Sequence, residues 1–192
     1  VALLGFGIFA SAGVKYNFNA SWVLHVGDIS GADKPDFNDT EWTRVTLPYA
    51  FNGKEAFAVH IEHLTDSVMW YRKHFRLASS MRFQHVFIEF EGVRQAGEVY
   101  LNGHYVGINE NGVMAFGFDL TPYIIRDGDN VLAVRVDNNW RYHEKSTHSG
   151  FQWNDRNFNA NYGGISKNVW LHTMGDVYQT LPLYDNLKTT GV

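Results

Sequence analysis

Val99-Tyr100-Leu101-Asn102-Gly103-His104-Tyr105-Val106 decides the fold class of this chain. Apolar and β-branched residues flank Asn-Gly, a dipeptide that tolerates the positive φ values of a two-residue type I′ turn, so the stretch predicts a β-hairpin. Outward from it, residues 68–77 place Met69, Tyr71, Phe75 and Leu77 on one parity and Trp70, Arg72, His74 and Arg76 on the other, the period of a half-buried strand. Residues 86–90 predict another strand. Asp127-Gly128 turns the chain before residues 131–136, an apolar run with Val131, Val134 and Val136, and Val169-Trp170-Leu171 supplies a last strand. Only residues 54–63 suggest helix, and no segment holds a 3.6-residue apolar period beyond three turns. Strands that recur without long helices between them predict an all-β fold, an antiparallel β-sandwich or jelly roll.

Composition agrees with one soluble core. The 192 residues are 45% hydrophobic and 19% charged, enough apolar material to offset the entropy of ordering. The net charge is −4 and no Lys/Arg cluster forms, so nucleic acid is not an expected partner. The chain has no cysteine, which removes disulfides, thiolate metal sites and thiol nucleophiles together. Residues 1–13 form an apolar run ending in Ala10-Ser11-Ala12, the small-x-small pattern that precedes signal-peptidase cleavage. They are read as a signal-peptide remnant, implying export to a periplasmic or extracellular location, with a packed apolar strand or short helix as the alternative. The run is too short to span a bilayer. Residues 14–178 form the expected domain and 179–192 a linker.

The connection from Asn138 to Tyr162 breaks the rhythm, and loops of that length are usually functional or disordered. Trp140, Tyr142, Phe151, Trp153, Phe158 and Tyr162 argue against disorder, since such side chains are costly to leave in water. Pyranose rings stack their C–H faces on aromatics while their hydroxyls bond to Asn, Asp and Arg. Trp153, Asn154, Asp155, Arg156, Asn159 and Asn161 are therefore candidate sugar contacts; tying the loop down by side chain to backbone hydrogen bonds is an equal alternative. Glu89 and Glu91, two apart on a strand, would stand about 6.5–7 Å apart on one face, a spacing compatible with paired-carboxylate chemistry. A solvated sheet face gives the same spacing, and that is the expectation for them. His143, Glu144 and His148 carry little weight as metal ligands, because their loop spacing has no preferred geometry. No phosphate loop, nucleophile elbow or His-Glu-x-x-His helix occurs.

Several strings, read in order, resemble the amino-terminal domain of glycoside hydrolase family 2, the group of β-galactosidases, β-glucuronidases and β-mannosidases. They are Phe37-Asn38-Asp39-Thr40-Glu41-Trp42 with Val45-Thr46-Leu47-Pro48, Met69-Trp70-Tyr71-Arg72-Lys73-His74-Phe75, Phe90-Glu91-Gly92-Val93, and Ala96-Gly97-Glu98-Val99-Tyr100-Leu101-Asn102-Gly103. Val106-Gly107, Phe118-Asp119-Leu120-Thr121, Asn130-Val131-Leu132-Ala133-Val134-Arg135-Val136 and Gly163-Gly164-Ile165-Ser166-Lys167-Asn168-Val169-Trp170-Leu171 complete the set. Single strings are weak; the ordered set covers most of the chain. Tyr49-Ala50 and Asn159-Ala160-Asn161-Tyr162 depart from residues common at those places.

The resemblance implies a jelly-roll, galactose-binding-like domain, followed in the family by an immunoglobulin-like domain and a catalytic (β/α)₈ barrel that carries both catalytic glutamates. This chain is then expected to hold no catalytic residue, metal or cofactor of its own and to be inactive alone. In β-galactosidases of the family the first domain reaches the active-site rim, which adds Asp66 and the 155–161 stretch as rim candidates. The expected function is a noncatalytic domain of an exported glycosidase, of β-galactosidase type, whose partners are carbohydrate, the following domains and a possible second copy. A stand-alone carbohydrate-binding module and a purely structural interface domain are the alternatives.

Overall fold

The computed structural model describes residues 13–60, 63–81, 84–150, 162–179 and 183–184. The hairpin forms where the Asn-Gly pair predicts it. Strands β7 (Gly97–Leu101) and β8 (His104–Asn109) pair antiparallel across Asn102, at φ 53°, and Gly103, at φ 82°. Asn102 also fixes the turn to its neighbours, accepting from Val131 N at 2.8 Å and donating to Tyr123 O and to Asn130 Oδ1, each at 2.9 Å. An Asn here therefore supplies both the left-handed backbone and three-way cross-linking.

The other strands are β1 (Val14–Asn17), β2 (Trp22–Val26), β3 (Thr43–Val45), β4 (Tyr49–Ala50), β5 (Val68–Phe75) and β6 (His85–Phe90). Beyond the hairpin come β9 (Phe116–Asp119), β10 (Asn130–Asp137), β11 (Gly164–Ile165) and β12 (Val169–Met174). Two antiparallel sheets result, one ordered β1-β12-β6-β9 and the other β3-β2-β5-β10-β7-β8, with a short β11-β4 ribbon beside them. Alternate residues from the two inner faces make the core. Val86, Ile88, Phe90, Phe118 and Leu171 face Leu24, Met69, Tyr71, Leu132 and Val134, all buried. This is an antiparallel β-sandwich.

Three expectations need correction. β5 is buried on both faces, since residues 28–42 cover its outer side: Arg72 is fully buried there and Trp70 packs with Ala32 and Ala133. The polar parity reads as solvent-facing only until that covering segment is placed. Residues 54–60, the described part up to that point, hold a 3₁₀ turn, Glu55–Phe57, because side-chain bonds of Glu55 to Thr65, rather than an apolar helical face, organise the segment. Glu89 and Glu91 are half-buried and partnered rather than simply solvated. Glu89 lies 3.0 Å from Lys15 Nζ and 2.6 Å from His172 Nε2, while Glu91 accepts from Trp170 Nε1 at 2.7 Å and Asn168 Nδ2 at 2.9 Å. The Trp170 bond foremost holds the Glu91 carboxyl below its usual range. Both carboxylates serve cross-strand pairs.

Among the described residues, no helix is long and apolar enough to cross a membrane. Residues 1–12 and the rim candidates Trp153, Asn154, Asp155, Arg156, Asn159 and Asn161 lie outside the described residues. Within the predicted linker, Tyr184 is buried and packs on Phe87 with ring centroids 4.6 Å apart.

Candidate functional site

Asp66 stands just before β5, at the end of the sandwich where the long 138–162 connection leaves and returns. Both roots of that connection are fixed beside it. On the outgoing side, Asn138 N donates to Ser67 O at 2.9 Å and Trp140 N donates to Asp66 Oδ2 at 2.9 Å. On the returning side, Phe51 N donates to Gly163 O at 3.0 Å, and Gly163 N donates to Asn52 Oδ1 at 3.0 Å. Buried Asn52 closes the circle, its Nδ2 donating to Thr65 O at 2.8 Å, one residue from Asp66. Gly163 is required by this close approach, since a Cβ there would lie 2.3 Å from Asn138 Nδ2.

The fold thus brings Asp66 to the base of the loop that carries the other predicted contacts. Only one oxygen of its carboxylate is used by Trp140, and a carboxylate offers about four lone-pair sites. It retains capacity to accept from a hydroxyl-rich ligand.

Glu110 organises the outgoing limb. Tyr142 Oη donates to its Oε1, Lys145 N donates to the same oxygen at 2.6 Å, and Ser146 Oγ donates to Oε2 at 2.9 Å. Burial would raise the Glu110 pKa, but these bonds outweigh it and hold the carboxyl below its usual range. Tyr142 responds oppositely, pushed up by burial and by the adjacent carboxylate. Lys145 Nζ reaches Glu98 at 2.9 Å, and Arg135 ties Glu98 and Asp28 together at 3.1 and 2.7 Å. His143, Glu144 and His148 serve the same limb: His143 Nδ1 lies 3.2 Å from His148 O, and Glu144 accepts from Thr147 Oγ1 at 2.7 Å. No cluster of three or more metal-ligating side chains occurs among the described residues.

A cleft of about 430 Å³ opens on the returning side, with Tyr49, Ala50, Arg94, Tyr162, Ser166 and Lys167 on its walls. Its floor is a three-stranded platform centred on Gly164, which pairs with Ala50 on one side and with Arg94 on the other, the latter through bonds of 2.9 and 3.0 Å. Gly164 sits at φ +121°, and a Cβ there would fall 2.2 Å from Tyr71 Oη, which donates to Tyr49 O at 2.8 Å. Only glycine fits. Sequence reasoning missed Asn52, Glu110 and Arg94, although Asn52-Gly53 and the Asn109-Glu110-Asn111-Gly112 run mark turns at which polar side chains commonly bind neighbouring backbone.

The family described as "Glycosyl hydrolases family 2, sugar binding domain" matches residues 22–175. The chain belongs to glycoside hydrolase family 2. Among relatives of this family 2 domain, a β-glucuronidase of Formosa agariphila is 39% identical over 96% of the chain, which spans 19% of that protein. A β-galactosidase of Thermoanaerobacter pseudethanolicus is 36% identical over 84% of the chain and 21% of its own length. The solved structure of a β-glucuronidase from family 2 superposes with a TM-score of 0.83 at 38% identity, covering 95% of this chain and 20% of that one. The family 2 domain therefore spans about a fifth of the length of the relatives it matches.

Proposed function

We propose that this family 2 domain is a noncatalytic part of an exported β-glycosidase, packing against the domains that carry the chemistry and placing Asp66 and the 138–162 loop at the rim of the substrate site. The observation that carries the reading is the convergence of both loop roots on the Asp66 neighbourhood through Ser67, Trp140, Asn52 and Gly163. A binding loop held by rigid sheet ends is the usual way a scaffold presents contacts. The Ala10-Ser11-Ala12 pattern supports export. Exposed Phe57, at 91%, and Met114, at 61%, support packing against further protein.

The names of the relatives put forward a β-glucuronide and a β-galactoside as substrates. The glucuronide comes first, because the relative bearing that name aligns over more of the chain. The test is hydrolysis of nitrophenyl β-glucuronide and β-galactoside by the full-length enzyme. Asp66→Ala should lower kcat/KM by about tenfold, the cost of one charge-assisted hydrogen bond. Unchanged kinetics in that variant would remove Asp66 from the rim.

A further inference from the structure

The outer face of the six-stranded sheet carries a second cleft, of about 530 Å³, where the cover over β5 stops. Ser21, Val23, Asp39, Arg44, Thr46 and His74 line it, all within the described segments 13–60 and 63–81. Strand register arranges them. Half-buried Val23 pairs with Arg44 of β3 on one side and with Arg72 of β5 on the other, so it forms a small apolar floor. Asp39, tied to Arg72, stands on the β5 side.

The polar groups of this cleft divide into donors and acceptors that the fold itself leaves unused. Arg72 Nε and His74 Nε2 both meet Asp39 Oδ2, at 2.6 and 2.8 Å, and among the described residues Oδ1 has no hydrogen-bonding partner. A carboxylate only accepts, so Nε2 carries the His74 proton, and Nδ1 of the neutral ring is an acceptor. Arg44 supplies the opposite function. Its exposed guanidinium has no hydrogen-bonding or ion-pair partner among the described residues, and it donates without accepting. The exposed hydroxyls of Ser21 and Thr46, equally unpartnered among the described residues, can do both. An anion brings only acceptors and would face the bare Asp39 oxygen. A cation brings no acceptor and would meet Arg44. A neutral polyol satisfies both kinds of group, and the volume lies in the range of small-ligand pockets.

We infer that this cleft is an auxiliary subsite for an uncharged sugar unit, whose hydroxyls donate to Asp39 Oδ1 and accept from Arg44 over the Val23 floor. The inference rests on the glycosidase reading and deepens it, assigning a polysaccharide with neutral units as the substrate class. Position carries the second half of that statement. Asp66 precedes β5 and His74 lies near its far end, about 26 Å along the extended chain. A small glycoside at the Asp66 rim does not reach the cleft; a polymer serves both.

Affinity electrophoresis of the full-length enzyme in gels containing galactan, glucomannan or dextran sulfate tests this. A neutral gel should retard the wild type. Arg44→Ala should weaken that retardation about fivefold, the loss of one hydrogen bond, and Thr46→Val by a similar factor. Both side chains are exposed, so Thr46→Val keeps the test valid if Arg44→Ala fails to fold. Lys34→Ala, an exposed cation outside the cleft, should leave retardation unchanged, and hydrolysis of a nitrophenyl glycoside should be the same in Arg44→Ala as in the wild type. Retardation by neither neutral gel, or equal retardation of wild type, Arg44→Ala and Thr46→Val, overturns the subsite. Arg44-dependent retardation by dextran sulfate alone overturns it too, because the cleft would then be an anion site. Wild-type hydrolysis of the nitrophenyl glycoside without cleft-dependent retardation removes the subsite and leaves the glycosidase reading standing; cleft-dependent retardation without hydrolysis does the reverse.

Discussion

Arg72→Met is the most demanding test of how the six-stranded sheet is covered. Arg72 is fully buried in β5, and its Nε donates to Asp39 Oδ2 at 2.6 Å. Its Nη1 donates to Ala32 O and to Lys34 O at 2.8 Å, its Nη2 donates to Phe37 O at 3.4 Å, and the guanidinium lies 5.5 Å from the Phe37 ring centroid. One side chain therefore organises the segment that covers the outer face of β5. Methionine fills similar volume but takes the Arg72 donor from three carbonyls and from the Asp39 carboxylate, which is only 12% exposed and keeps the half-exposed His74, at 2.8 Å, as its other partner. Removing one partner of a buried ion pair costs about 3–5 kcal/mol. For a chain of this size that corresponds to a Tm lower by about 6–20 °C. Urea denaturation followed by tryptophan fluorescence reads the loss directly. The double variant Arg72→Met/Asp39→Asn should be less destabilised than the sum of the single variants by at least about 1 kcal/mol, because the carboxylate that lost its buried guanidinium is gone. A loss below about 1 kcal/mol for Arg72→Met, or an additive cycle, would refute the reasoning. The pH dependence supplies a second reading. Burial alone would raise the Asp39 pKa, yet bonds from His74 and Arg72 hold it below its usual value. The wild type thus keeps Asp39's contribution above the unfolded carboxyl pKa of about 4 and loses it as pH falls through the lower folded value. In Arg72→Met that loss should begin at higher pH.

Gly164→Ala should cost about 3 kcal/mol or more, through positive φ and overlap with Tyr71 Oη, and circular dichroism melts would show it; a Tm within experimental error of wild type counts against the platform. Glu110→Ala removes the acceptor for Tyr142, Lys145 and Ser146, so proteolysis between 138 and 150 should quicken about tenfold while the sheets stay protected in hydrogen exchange; unchanged cleavage would mean the limb is held by other contacts. Burial lowers Lys73 to about 8, whereas an unfolded lysine holds its proton to about 10.4. The unfolded chain binds more protons between those values, so stability should rise with pH across that window in wild type but not in Lys73→Met; urea midpoints with the same pH slope in both would sink this.

The strands were legible wherever the local pattern and the tertiary environment agree. Asn102-Gly103 forces positive φ twice, so the turn appears with any partner able to pair its arms. Residues 131–136 and 169–171 are apolar enough to be strands in any packed arrangement. β5 shows the limit: its alternation places Met69 and Tyr71 on the core, but the polar side is covered by residues 28–42, and no parity rule foresees a lid from a distant segment. The partners of Glu89 and Glu91 were missed for the same reason, because Lys15, Trp170, Asn168 and His172 come from segments far away in the chain.

The candidate site divides similarly. Asp66 was reached only through family resemblance, since a lone aspartate before a strand carries no local signal. Its proximity to both roots of the 138–162 loop depends on Asn52 and Gly163, which are 111 residues apart. By itself the amino-acid order determined an all-β chain, its hairpin, its strand faces and its family, since turn chemistry and side-chain alternation act over a few residues. Tertiary structure alone decided which polar groups are buried with partners, how Gly164 is paired between Ala50 and Arg94 and what stands beside Asp66. Those outcomes depend on contacts between segments far apart in sequence, which form only when the two sheets close on their common core.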